Sequence, residues 1–216
     1  MSAALLLFFL LRRIHMLSKQ NIHKLFLLFS ALLVGYTVFT GLFDSGALRL
    51  TPLRTFTYLS NIVMVVGFLA MLILYNSKGS LRNYISVLVI IAMAVTGLVY
   101  NFVLVPFASA TMVYIGFVNF VTHAFSTILV LINYFVFETK GNFKFKHVGV
   151  AMLFPAMYWG IFVSIGGIID FYPYFFMNPT RIGWAMVFVW FAILLGVFAG
   201  LGALLILFDR KRSKFV

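Results

Sequence analysis

The chain has no cysteine and only four carboxylate residues among its 216. Disulfides, thiolate metal sites and a cysteine nucleophile are therefore excluded. Charged residues make up 9% and hydrophobic residues 64%. Soluble domains carry roughly 25% charged residues. With a mean hydropathy of +1.12, this is the profile of a polytopic membrane protein.

What is present is long uncharged sequence. Leu25–Phe43, Thr55–Ser77, Asn83–Phe137, Val148–Ile169 and Ile182–Phe208 contain no Asp, Glu, Lys or Arg. A spanning helix needs about 20 apolar residues. Four of the runs fit one span each, and the third holds two, with a turn at Pro106 and the small polar residues after it. The spans are expected near 25–43, 56–75, 84–105, 111–137, 148–169 and 183–208. Barrel strands would alternate apolar and polar residues over roughly ten positions, and these runs do not. The expected fold is all-α: an integral membrane bundle of six helices. Residues 1–24 read as an N-terminal cytoplasmic or interfacial segment, 25–208 as the transmembrane domain and 209–216 as a basic tail. Met1–Leu11 is apolar but too short to span, and its basic pair Arg12-Arg13 comes after it instead of preceding it, unlike a secretory signal.

The net charge of +12 is distributed by side. Arg12, Arg13, Lys19, Lys24, Lys78, Arg82, Lys140, Lys144, Lys146, Arg210, Lys211, Arg212 and Lys214 all fall on one side of a six-span path. Arg49, Arg54 and Arg181 fall on the other. The positive-inside rule then places both termini in the cytoplasm. The basic surplus signals topology and contact with anionic membrane lipids, and nucleic acid is not an expected partner. Oligomeric state is left open.

The expected spans contain no carboxylate, lysine or arginine. This argues against a proton-coupled transporter, a voltage sensor and a retinal protein. His15 and His23 precede the first expected span, and His147 falls in an expected loop. His123 is then the single ionisable group at depth, which makes a haem pair or a metal site improbable, and no cofactor or metal is expected. Burial disfavours the imidazolium, so His123 reads as a neutral proton acceptor. Asn119, Ser126 and Thr127 lie at i−4, i+3 and i+4 from it, on its helical face. The plainer reading is a histidine bonded across helices.

The second polar cluster opens the second span: Arg54, Thr55, Thr57, Ser60 and Asn61. Thr57 and Ser60 share a face. A hydroxyl becomes a nucleophile when a base takes its proton. The plainer reading is hydroxyls bonded to their own backbone. The loop DFYPYFFMNPTRI (170–182) carries Tyr172 and Tyr174 and reads as an aromatic interfacial belt or as a lid. Gly196 and Gly200 form a GxxxG pattern, read as close helix packing.

Three stretches together, FTYLSN (56–61), THAFST (122–127) and FYPYFFMNPTRIGW (171–184), resemble the androgen-induced-gene (ADTRP-like) family of six-span membrane proteins, in its bacterial-type branch. The resemblance covers spans 1 to 6 and implies a bacterial cell-membrane location. Characterised vertebrate members are threonine hydrolases of fatty-acid esters of hydroxy fatty acids. By position, the resemblance implies a nucleophile at Thr57 and a base at His123. Ser60, one turn on, stays open as the nucleophile.

Beside that dyad, Asn61, Asn101 and Tyr100 are candidate oxyanion donors, Asn119 or a backbone carbonyl a candidate orienter of the imidazole, and Thr127 a further substrate-side polar group. Arg54 and Arg181 are candidate partners for a substrate carboxylate, with interfacial lipid phosphate as their plainer partner. Thr57 starts its span, whereas His123 lies about 12 residues, or roughly 18 Å, into an expected span from 111. Their meeting requires protrusion or tilt. The expected function is hydrolysis of a lipophilic ester. The alternatives are a non-catalytic lipid-binding or lipid-moving protein and a small-solute carrier or channel.

Overall fold

The computed structural model describes residues 18–77, 79–107 and 116–212, so the expectations for Met1–Leu11, Lys78 and the residues just after Pro106 lie outside the described residues. Among the described residues, six helices are long and apolar enough to cross a membrane. They are α1 (Lys19–Thr40), α2 (Phe56–Ile73), α3 (Leu81–Leu104), α4 (Phe117–Phe137), α5 (Phe145–Ile165) and α7 (Trp184–Arg212). The short helix α6 (Pro179–Ile182) precedes α7.

Between α1 and α2 the chain makes a two-stranded hairpin, β1 (Phe43–Asp44) with β2 (Ala47–Leu48), in which Phe43 pairs with Leu48. A short 3-10 turn, Thr51–Arg54, then leads into α2. This hairpin, the N-terminus of α2 and the 170–182 loop share one end of the bundle. The basic loops share the other.

Consecutive helices pack α1 on α2, α2 on α3 and α3 on α4, and α3 also packs on α5 and α7. Hence α3 is the central helix, and its Val87, Ile91, Ala92 and Met93 are fully buried. Large exposed apolar side chains such as Phe29, Ile73, Phe102 and Phe188 ring the outside. In lipid this is the stable arrangement, because the solvent itself is apolar.

Three expectations change. Helix α1 begins at Lys19 because Ser18 caps it, accepting from the Asn21 N–H, so His23 lies inside a helix and is buried. Helix α5 begins at Phe145, which brings His147 into its first turn, also buried. Helix α7 runs on to Arg212, so Asp209 is a buried carboxylate within it and the basic tail is partly helical. His123 is therefore not the only histidine inside a spanning helix, and the spans are not free of carboxylate. The GxxxG expectation also fails: a Cβ on Gly196 or Gly200 would meet nothing within 4 Å, so this face is open, whereas Gly202 packs tightly on Val148.

The α-helical ladder is interrupted where polar residues gather. A π-turn spans Val99–Leu104 at the end of α3, and two more, Val121–Phe125 and Asn133–Phe137, lie in α4. Single π-turns of this kind widen the helix locally and often mark functional sites.

Candidate active site

Thr57 is the second residue of α2. The N-cap Thr55 accepts from the Tyr58 N–H at 3.4 Å, and its own hydroxyl donates to the Pro52 carbonyl at 2.7 Å. The cap fixes where the helix starts and leaves the first N–H groups without intrahelical partners. Tyr174 serves one of them: its hydroxyl oxygen accepts from the Phe56 N–H at 3.0 Å. The same oxygen sits among the Thr57 hydroxyl and N–H and the Tyr158 hydroxyl. Burial pushes the Tyr174 phenol above its ordinary value, so it remains protonated and able to donate. Tyr158 in turn donates to the Arg54 carbonyl at 2.9 Å, tying α5 to this corner.

His123 sits in the first π-turn of α4, whose helix begins at Phe117 after Gly116, a residue with φ of 92°. The imidazole is therefore seven residues into the helix, not twelve into a longer span, and the expected depth mismatch with Thr57 shrinks accordingly. The Nδ1 atom lies 3.0 Å from the Asn119 carbonyl and 3.2 Å from the Thr122 hydroxyl. A carbonyl only accepts, so Nδ1 carries the proton and Nε2 holds the lone pair. The backbone carbonyl of Asn119, not its side chain, thus orients the ring. The Tyr100 ring packs against it with centroids 3.9 Å apart. Asn119 donates from Nδ2 to the Tyr100 hydroxyl at 3.2 Å. Both rings come from π-turns, one in α3 and one in α4.

Two cavities meet at this cluster. A vestibule of about 490 Å³ is lined by Arg49, Thr57, Tyr58, Tyr100, His123 and Tyr174, among others. A narrow slot of about 50 Å³ runs inward between α3, α5 and α7, past Val99, Pro155, Trp159, Phe191 and Leu194. Thr57, Tyr100, Leu104 and Tyr174 line both. An amphiphile entering the vestibule would find an apolar slot beyond a gate made of one threonine and two tyrosines.

Thr57 and His123 therefore face one vestibule, but no hydrogen bond among the described residues joins them. The other expected site residues fall into different places. Ser60 is completely buried, donates to the Thr57 carbonyl at 3.0 Å, shares a 2.5 Å contact with Thr96 and lines neither cavity. Asn61 is also completely buried and lines neither cavity. Its Nδ2 donates to the Thr57 carbonyl at 2.7 Å and to the Thr122 carbonyl at 2.8 Å. It is a clamp between the two helices and not an oxyanion donor. Asn101 donates to Gly97 O at 2.7 Å, one helical turn back.

Thr127 donates to the Met93 carbonyl of α3 at 3.2 Å, and Ser126 bonds the Thr122 carbonyl. Neither shares the vestibule with His123, because the π-turn inserts a residue and rotates the later part of α4 off the 3.6-residue face. Arg54 lies over the Phe171 ring at 5.4 Å and Arg181 over Phe175 at 5.6 Å, and neither lines either cavity. Tyr172 packs on Gly166, where a Cβ would collide with its ring.

The arginine that does reach the vestibule is Arg49, paired with Asp44 across the hairpin at 2.9 Å. The hairpin's turn at Ser45-Gly46, both at positive φ, is its only sequence signal.

Comparison with protein-family models, curated proteins and solved structures gives no match, so the chemistry rests on geometry.

Proposed function

We propose that the protein is an intramembrane hydrolase of lipophilic acyl esters, with Thr57 as nucleophile and His123 as base. The observation that carries this reading is the convergence of Thr57, a histidine with a free Nε2 lone pair and two tyrosines where an open vestibule meets an apolar slot. The resemblance to the androgen-induced-gene family selects the same pair. The acyl chain would occupy the slot and the polar end the vestibule, facing Arg49.

In the first step the Thr57 hydroxyl oxygen attacks the ester carbonyl and its proton passes to His123 Nε2. The oxyanion is stabilised by donation from the Tyr174 O–H, whose oxygen is already polarised by the Phe56 N–H. Collapse breaks the ester C–O bond, and the departing alkoxide takes the proton from His123. Water then attacks the acyl-Thr57 carbonyl while His123 takes a proton from it. Collapse frees the carboxylic acid and returns the proton to Thr57. Thr57 and His123 close on each other only with substrate bound, as catalytic hydrogen bonds commonly do.

Hydrolysis of a p-nitrophenyl acyl series by the purified protein in lipid nanodiscs tests this. Release of p-nitrophenol should rise with chain length up to the length of the slot, and Thr57→Ala should abolish it. No release from any ester by folded protein would refute the reading.

The missing Thr57–His123 bond favours one second reading: a lipid-binding protein that uses the same slot and vestibule without chemistry. Binding of an acyl ester with no turnover would support it.

A further inference from the structure

A second polar site lies at the opposite, basic end of the bundle. A cavity of about 560 Å³ opens between the start of α1, the α2–α3 connection, the first turn of α3 and the end of α4. Lys19, Gln20, His23, Tyr75, Arg82 and Asn142 line it, together with Glu138, Ser77 and Asn83.

Its floor is one ordered chain of hydrogen bonds. Arg82 donates to the Glu138 carboxylate at 3.4 Å and to the Tyr75 carbonyl at 3.2 Å. Asn133 donates from Nδ2 to the same Glu138 oxygen at 3.3 Å. Its Oδ1 then accepts from His23 Nε2 at 2.8 Å. His23 Nδ1 is left as the acceptor for the Tyr75 hydroxyl at 3.2 Å. Every partner in the chain has a fixed role. The Phe137 ring stacks on His23 at 4.6 Å and holds it in place.

This chain determines what the cavity can attract. Among the described residues Glu138 is the only carboxylate lining it, and Arg82 already offsets its charge; the Arg82 and Glu138 side chains are 18% and 5% exposed. Apart from Phe137 and Gly79, the remaining lining residues are cationic or carry polar side chains. Lys19, Gln20, Ser77, Asn83 and Asn142 face the cavity, and Lys24 adds charge from 4.8 Å above the Tyr75 ring. Arg82 Nε is buried without a partner among the described residues. A guanidinium at the wall, a neighbouring ammonium and several neutral donors suit a group with several charged oxygens.

We infer that this cavity is a phosphate-binding site, independent of the proposed ester chemistry at the other end. The shared chemistry is a phosphate mono- or diester. Its source is either the headgroup of an anionic phospholipid, as in basic pockets between spanning helices, or a soluble phosphate.

Thermal unfolding of the full-length protein in phosphate-free detergent tests the site. Ligands that bind only the folded state raise the midpoint in a saturable way. Inorganic phosphate and dihexanoyl-phosphatidylglycerol are titrated separately, each against sodium chloride of equal ionic strength. A saturable rise with phosphatidylglycerol alone identifies a lipid headgroup, and a rise with inorganic phosphate identifies a soluble phosphate. Lys19→Gln and Asn142→Ala, at exposed positions, should each weaken the effective concentration about threefold or more. Lys211→Gln, on α7 and outside the cavity, should leave it unchanged. No saturable rise with either ligand, or equal weakening by Lys211→Gln, would overturn the inference.

Discussion

The side-chain amide of Asn61 donates to the Thr122 carbonyl at 2.8 Å, from α2 across to the π-turn of α4. Its second N–H reaches the Thr57 carbonyl at 2.7 Å. One buried amide thus holds the backbone of Thr57 against that of Thr122, the residue before His123. The clamp thereby fixes the spacing of α2 and α4 on which the proposed dyad depends.

Replacing Asn61 with Ala removes one buried hydrogen bond from each of two carbonyls, which keep the Ser60 and Ser126 hydroxyls as partners. The expected cost is about 1–3 kcal/mol of stability. Nucleophile reactivity should fall further than folded yield, because a small displacement of helices separates Thr57 from His123. The thermal midpoint and the rate of probe labelling at Thr57, measured on the same preparation, separate the two effects. Unchanged labelling in a folded Asn61→Ala protein would show that the clamp does not position the site.

Ser60→Ala should keep activity. The hydroxyl is turned away from both cavities and is engaged with Thr57 O and Thr96. Loss of these bonds is expected to cost about 0.5–1.5 kcal/mol, and Thr96 retains its bond to Ala92 O at 3.1 Å. Ester turnover measured beside the wild type checks this, and abolished turnover in a folded Ser60→Ala protein would move the nucleophile one turn along α2.

Tyr174→Phe removes the proposed oxyanion donor but leaves the ring stacked on Phe176, where the centroids are 5.2 Å apart. The expected result is a fall in kcat of about 10²–10³ with little change in KM. A change in KM alone would assign the hydroxyl to substrate binding.

Much of the fold was legible because the membrane imposes it. Five uncharged runs, one of them holding two spans, became six helices, and the basic residues gathered at one end. His123 stood out as an imidazole inside an apolar run, whereas Thr57 was distinguished from Ser60 only by the family resemblance; both His123 and Thr57 line one vestibule. The rest depended on features that periodicity does not encode. The π-turns at Tyr100 and His123 bring two rings together and turn Ser126 and Thr127 away. Asn61 reads in sequence as a donor to substrate, yet it serves two backbone carbonyls. Arg54 and Arg181 are close in sequence to the site but lie on aromatic rings, while Arg49, exposed and paired with Asp44, lies at the vestibule because the hairpin places it there. His23, His147 and Asp209 read as lying outside the spans because flanking lysines and arginines masked the helix ends. The Asp209 carboxylate accepts from the Gly141 and Phe143 N–H groups at 2.8 and 3.0 Å and from Tyr134 at 3.2 Å, tying the 138–144 loop to α7.

The most direct measurement is labelling with a fluorophosphonate probe, with mass spectrometry to locate the adduct. Wild type, Thr57→Ala, Ser60→Ala and His123→Ala are compared after each is shown to be folded. The expected result is a phosphonyl adduct on Thr57 in wild type and in Ser60→Ala, and none in Thr57→Ala or His123→Ala. An adduct on another residue, or no adduct on folded wild-type protein, would contradict the assignment of Thr57 and His123 as a catalytic pair.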